Sequence, residues 1–257
     1  MFFFLCQNLQ YNEFDNAKYL GNAGNKYLVL VTAKSTNITS CSINVKCTFV
    51  LNKAFRGCSG LISITIPDSV KSIGQYAFRG CSGLTSVTIG NSVTSIGLYA
   101  FSGCDGLTEI HYNGDLTGWF KISGIYSLMS YGKSTKTLYV GGTKIEGDLV
   151  IPEGVKYIGS YAFSGCNGLT SVTIGKSVTS IGNYAFYDCS NLTSVKIPGS
   201  VTSIGSSAFS DCTSLTRIDF NGTKAQWKAI KKGNGWRNNT GDFTVYCTDG
   251  TLSKSEA

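Results

Sequence analysis

Along most of this chain apolar residues return in one fixed order. In residues 78–100 they fall at Phe78, Cys81, Leu84, Val87, Ile89, Val93, Ile96 and Ala100, and the order recurs at Phe186, Cys189, Leu192, Val195, Ile197, Val201, Ile204 and Ala208. A phenylalanine followed three residues later by cysteine marks each copy, at Phe55, Phe78, Phe101, Phe163, Phe186 and Phe209. The step from Phe55 to Phe78, and from Phe163 to Phe186, is 23 residues. A constant period of this size is the signature of a solenoid, in which no unit can bury its own apolar side and each is covered by its neighbours. Within the unit Val87 and Ile89 alternate with Ser86 and Thr88, the period-two pattern of a half-buried strand rich in β-branched residues. The pattern therefore predicts a mainly β repeat solenoid with one short strand per coil, the strands stacked about 4.8 Å apart. Pro67, Pro152 and Pro198, the only prolines, directly follow this strand, where Gly90 and Gly175 stand in other coils. A missing N–H costs least at such a turn.

Counting the frame along the chain divides it. Residues 1–37 do not carry it; two short strands, around Tyr19 and over residues 27–31, joined by a Gly/Asn turn, predict an N-terminal cap over the first coil. From Ile38 the frame runs, with Cys41, Ile43, Cys47 and Val50 on core positions, giving coils over 38–112. It is interrupted by an insertion at 113–148 and resumes at Leu149, Ile151, Val155 and Ile158, giving coils over 149–220. The insertion has an echo: Ile110, Tyr112, Asn113, Gly114, Trp119 and Ile122 match Ile218, Phe220, Asn221, Gly222, Trp227 and Ile230, each 108 residues later. A turn of helix at the tryptophan and a strand afterwards are predicted in both places, the second forming a C-terminal cap over 221–247. The polar tail 248–257 is expected to fray.

Composition changes this picture little. Charged residues are only 14% of the chain and the formal net charge is +7, compatible with acidic partners without requiring them. Ten cysteines would suggest disulfides or metal, but six belong to the Phe-x-x-Cys ladder and Cys41 and Cys47 fall on core positions, where free cysteine packs as a small hydrophobe. Zinc has no support in a sequence lacking a Cys-x-x-Cys pair and holding one histidine, His111. No apolar run has the length of a transmembrane helix, and residues 1–6, MFFFLC, lack the basic start and cleavage site of a signal peptide. A phosphate-binding Gly-Lys-Ser/Thr loop and a nucleophile elbow are both missing, so the expectation is no catalytic residue, no cofactor and no metal. Glu109 and Asp115 near His111 could form a small polar cluster or simply lie on a wider surface loop.

The segment L-x-x-V-x-I-G-x-x-V-x-x-I-G followed by A-F-x-x-C, as in residues 84–104, resembles the BspA-like class of leucine-rich repeats, over roughly residues 38–220. It departs from the commoner leucine-rich pattern in carrying Ser92 and Ser177 where a turn asparagine is usual. The resemblance implies a curved right-handed solenoid, an exported or surface-attached bacterial protein, and adhesion to host or bacterial surface proteins, with no shared catalytic residues. A structural spacer in a longer surface protein is the alternative reading.

Candidate contacts follow from the frame. Outward strand positions form two rows across the coils: Thr65, Thr88, His111, Thr173, Lys196, Asp219, and Ser63, Ser86, Glu109, Ser171, Ser194, Arg217. Both gain charge toward the C-terminus, singling out His111, Lys196, Arg217 and Asp219; the alternative is a hydroxyl surface that only keeps the sheet soluble. Trp119 and Trp227 either pack a helix over the sheet or project as binding knobs. The densest positive charge, Lys224, Lys228, Lys231, Lys232 and Arg237 around Trp227 and Trp236, would suit an acidic partner or a solvated cap, and no nucleic-acid-binding motif accompanies it.

Overall fold

A computed structural model describes residues 9–131 and 135–257 of the 257-residue chain; the apolar start, residues 1–6, lies outside the described residues. The chain forms two compact units, Met1–Lys133 with Tyr139–Gly142, and Ser134–Leu138 with Thr143–Ala257. Each is a β-solenoid of the predicted coils.

In the first unit the strands Ser63–Ile66, Ser86–Ile89 and Glu109–Tyr112 stack in parallel, residue for residue: Ser63 beside Ser86 beside Glu109, and Thr65 beside Thr88 beside His111. The second unit stacks Gly147–Val150, Leu169–Thr173, Ser194–Pro198, Arg217–Asn221 and Thr244–Cys247 in the same way. Beyond the one strand per coil that the sequence announces, each coil carries a second, two-residue strand. Phe49–Val50, Ser72–Ile73 and Ser95–Ile96 pair in parallel in one unit, and Tyr157–Ile158, Ser180–Ile181, Ser203–Ile204 and Lys231–Lys232 in the other. Two residues are too few to show a period-two alternation in sequence.

The core between these faces is a set of ladders. Phe55, Phe78 and Phe101 stack with centroids 5.1 Å apart, and Phe163, Phe186 and Phe209 at 5.5 and 5.3 Å. Cys81, Cys104, Cys189 and Cys212 turn their thiols to the phenylalanine carbonyl one coil back: Cys81 Sγ donates to the Phe55 carbonyl at 3.1 Å, and Cys212 Sγ to that of Phe186 at 3.1 Å. This explains the fixed spacing: the ring fills the core and the thiol satisfies the backbone of the next layer. The ladder thiols Cys58, Cys81, Cys104, Cys166, Cys189 and Cys212 are free and buried. The glycines after Ile73, Ile96, Ile181 and Ile204 are set by contact between layers. A Cβ on Gly97 would stand 2.4 Å from the Gln75 nitrogen, and one on Gly205 2.5 Å from that of Asn183.

Strand Ala17–Gly21 pairs antiparallel with Val29–Ala33, close to the predicted pair, and a further strand, Gln10–Phe14, lies outside them. Its burial pattern is almost wholly exposed, so no apolar alternation marked it. The expected frayed tail is a correction. Gly250–Ser253 pairs antiparallel with Thr244–Cys247, Leu252 is buried, and the Glu256 carboxylate accepts from the Ser253 N–H at 2.8 Å. One apolar side chain and a two-residue turn were enough to hold a segment whose composition is otherwise polar.

Candidate binding surface

The outward face of the second unit's sheet holds most of the charged residues singled out from the sequence. Val172, Val195, Ile218 and Val245 point inward and are buried, so the residues between them must face out. Register then places Ser171, Ser194, Arg217 and Thr244 in one row, and Thr173, Lys196, Asp219 and Tyr246 in the next. Arg217 and Asp219, two residues apart on one strand, form a charge-assisted fork: Arg217 Nε donates to Asp219 Oδ1 and Oδ2 at 2.9 Å, and Nη2 to Oδ1 at 2.7 Å. The guanidinium also lies 4.1 Å from the Tyr246 ring centroid, a cation–π contact with the adjacent strand. Arg217 and Asp219 are thus fixed by their neighbours, while exposed Lys196 takes part in none of the side-chain ion pairs among the described residues.

Beyond the carboxyl ends of these strands the face dips into an open groove of about 430 Å³. Ile197, Pro198 and Phe220 give it apolar walls, and Lys176, Lys196, Asp219, Asn221, Tyr246 and Thr248 are its polar lining. Lys176, Tyr246 and the half-buried Cys247 also line it and were missed in sequence. The 108-residue echo could have exposed Lys176, because Asp68 occupies the matching position of the first copy.

The first unit offers the same frame with other chemistry. Glu109 and His111 pair at 2.5 Å on the Glu109–Tyr112 strand, and the His111 ring stacks on Tyr139 with centroids 4.4 Å apart. Asp115 does not join them; it caps helix Leu116–Lys121 by accepting from the Gly118 N–H at 2.7 Å. The polar cluster is therefore a pair with an aromatic lid.

Trp119 and Trp227, considered as knobs, are 1% and 0% exposed and leave the candidate surface. Each lies on a six-residue helix, Leu116–Lys121 or Lys224–Ala229, and packs against the aromatic residue closing the preceding strand: Tyr112 at 5.7 Å and Phe220 at 5.2 Å. The basic cluster is divided among elements. Lys228 is exposed on the helix and Lys231 on strand Lys231–Lys232, whereas Lys232 turns inward, its ammonium donating to the Trp227 carbonyl at 2.7 Å over the indole at 4.9 Å. Burial, followed by the Arg237 charge, lowers the Lys232 pKa.

A tyrosine ladder was also missed. Tyr76 and Tyr99 stack at 5.6 Å in one unit and Tyr161 and Tyr184 at 4.7 Å in the other, all four at positive φ between 56° and 63°. Bulky residues rarely adopt this left-handed region. Lys53 and Ser207 do so at the equivalent turn, so the coil geometry imposes it and ring stacking offsets part of its cost.

Fold and face together define a repeat-solenoid protein presenting a polar β-surface. Residues 32–124 and 141–233 match the BspA type leucine rich repeat region in six copies, and the chain belongs to that family. Similar solved structures include a T. pallidum leucine rich repeat protein, 22% identical over 84% of this chain and 84% of that one, with a TM-score of 0.39. A leucine-rich repeat protein from Bacteroides ovatus is 22% identical over 92% of this chain and 68% of that one, TM-score 0.44. The pneumococcal vaccine antigen PcpA is 14% identical over 94% of this chain and 87% of that one, TM-score 0.32. No curated protein matches the chain. Repeats of this family are consistent with a protein-interaction module and are typically non-catalytic. Among the described residues no helix is long and apolar enough to cross a membrane, and no three His, Cys, Asp or Glu converge as a metal site.

Proposed function

We propose that the protein is a non-catalytic adhesion module of a bacterial surface or secreted protein, binding host or bacterial surface proteins through the outward sheet face of its second unit. The observation that carries this reading is the fixed array of Arg217, Asp219 and Tyr246 beside a free Lys196 on two outward rows whose other residues are Asp148, Val150 and hydroxyl side chains. Such an array supplies directional polar contacts already held in place, so little side-chain entropy is lost when a partner docks. The ladders beneath support the same reading, since a rigid core keeps the face in one shape.

The test is binding of the purified chain to an immobilised panel of host matrix proteins and bacterial surface proteins at low and high salt. A saturable, salt-resistant hit weakened roughly tenfold by Lys196→Ala with Arg217→Ala is expected. Uniformly weak binding erased by salt would overturn it and leave a structural spacer.

A further inference from the structure

We propose that the groove at the carboxyl ends of the second unit's strands docks an acidic peptide segment of the partner protein, its carboxylates taken by the Lys176 and Lys196 ammonium groups and its carbon stems resting on Ile197, Pro198 and Phe220. The proposal rests on the protein-binding reading above and names the chemistry that the face selects.

Size is the first support. A groove of about 430 Å³ accommodates a few side chains of an extended segment rather than a domain. Charge is the second. Lys176 and Lys196 join none of the side-chain ion pairs of the described residues, whereas nearby carboxylates are engaged. Asp219 is held by Arg217, and Glu153 accepts from the Lys176 N–H at 3.2 Å and the Ser177 hydroxyl at 3.4 Å. The charge left unmatched at the groove is positive. Its apolar walls, Ile174, Ile197, Pro198 and Phe220, match the carbon stems of a peptide's side chains, which an acidic sugar lacks.

The third support is an internal control. In the first unit the positions of Lys176, Lys196 and Asp219 are taken by Asp68, Thr88 and His111. Asp68 Oδ1 there accepts from the Asn91 N–H at 2.8 Å and from the Asn113 amide at 3.1 Å. The coil frame is the same in both copies while the charge reverses, so folding alone does not demand the two lysines.

Cys247, which lines the groove and is the only described cysteine outside the buried class, supplies a reporter. The experiment uses the full chain carrying Cys6→Ser and a fluorescein-labelled Gly-Glu-Ile-Glu-Gly peptide, with its Gln counterpart as control, read by anisotropy. The Glu peptide should bind at least about tenfold more tightly than the Gln peptide. Lys176→Ala with Lys196→Ala should remove that preference, the charge-matched Lys228→Ala with Lys231→Ala should retain it, and bound peptide should slow maleimide labelling of Cys247. Grafting Asp68→Lys and Thr88→Lys should raise the stoichiometry from one peptide to two. Equal losses in both lysine pairs, unprotected Cys247, or displacement of the peptide by an oligogalacturonate at lower concentration would each overturn the proposal. If those arms fail while panel binding persists and still depends on Arg217, the groove assignment falls and the adhesion reading stands; failure of the panel removes the adhesion reading itself.

Discussion

The two copies of the tryptophan-bearing module share a scaffold and differ in what they display. Both place an aromatic residue at the end of a strand, Tyr112 or Phe220, bury a tryptophan from a short capped helix against it, and lay a tyrosine, Tyr139 or Tyr246, over a side chain of the strand. Yet the strand pair reads Glu109 then His111 in the first and Arg217 then Asp219 in the second, reversing the order of acid and base. Positions that face the core are held by packing and by contacts repeated in every layer; positions that face out keep their neighbours but change residue type between the copies. That division teaches where function can change without cost to stability.

The largest effect expected is on the shared scaffold. Trp119→Ala and Trp227→Ala should each destabilise their own unit by about 3–5 kcal/mol in urea denaturation, as removal of a buried aromatic does. A cost below about 1 kcal/mol in either would show that the copies do not carry equivalent cores. Next come the layer contacts. Gly97→Ala and Gly205→Ala both drive a methyl toward backbone at 2.4 and 2.5 Å, and a loss of about 1–3 kcal/mol is expected in each. Full stability of one but not the other would mean that their layers differ in spacing.

Alkaline pH probes both ladders at once. Burial pushes the ladder thiol Cys58, and the core thiol Cys47 beside that ladder's start, up to about 11, and those of Cys166 and Cys212 up to about 12. The folded chain therefore keeps these protons after the unfolded chain, with thiols near about 8.5, has released them. Their contribution is intact below that pH and is lost as pH rises toward the folded values, so urea midpoints should fall steadily above about pH 9. A flat profile up to about pH 11 would contradict burial of the ladder thiols. Surface changes should move stability least. Asp219→Asn is expected to leave the urea midpoint within error, because an exposed ion pair contributes little. Panel binding should then sharpen the contrast: Glu109→Ala leaves it unchanged, whereas Arg217→Ala weakens it, and equal effects would erase the distinction between the copies.

Much of this was open to reading from residues alone, for an identifiable reason. A solenoid repeats each contact, so Phe78, Cys81, Val87 and Ile89 announce their roles by recurrence, and one register assignment places every outward residue of the strands. That assignment put Arg217 and Asp219 on one outward face, but it showed neither their closure on each other nor the contact with Tyr246, which belongs to a strand outside the 23-residue frame. Trp119 and Trp227 were visible as a repeated pair, and of the packing and projecting readings burial decides for packing; a single apolar residue on one turn of helix has no periodicity to give its direction. The tail was misread for the converse reason: polar composition says nothing about backbone pairing, and Leu252 gained its place only once Thr244–Cys247 stood beside it.

The coil, its period, its core and the outward rows follow from the linear pattern of residues, because burial recurs with the pattern that codes it. Tertiary structure alone decided which outward charges are spent on each other and which stay free. Arg217 and Asp219 close on one another while Lys176 and Lys196, separated along the chain, come to one groove. Pairing between charges depends on distances of a few ångströms between side-chain atoms, within a strand as well as across coils, and a linear pattern of polar residues does not carry those distances.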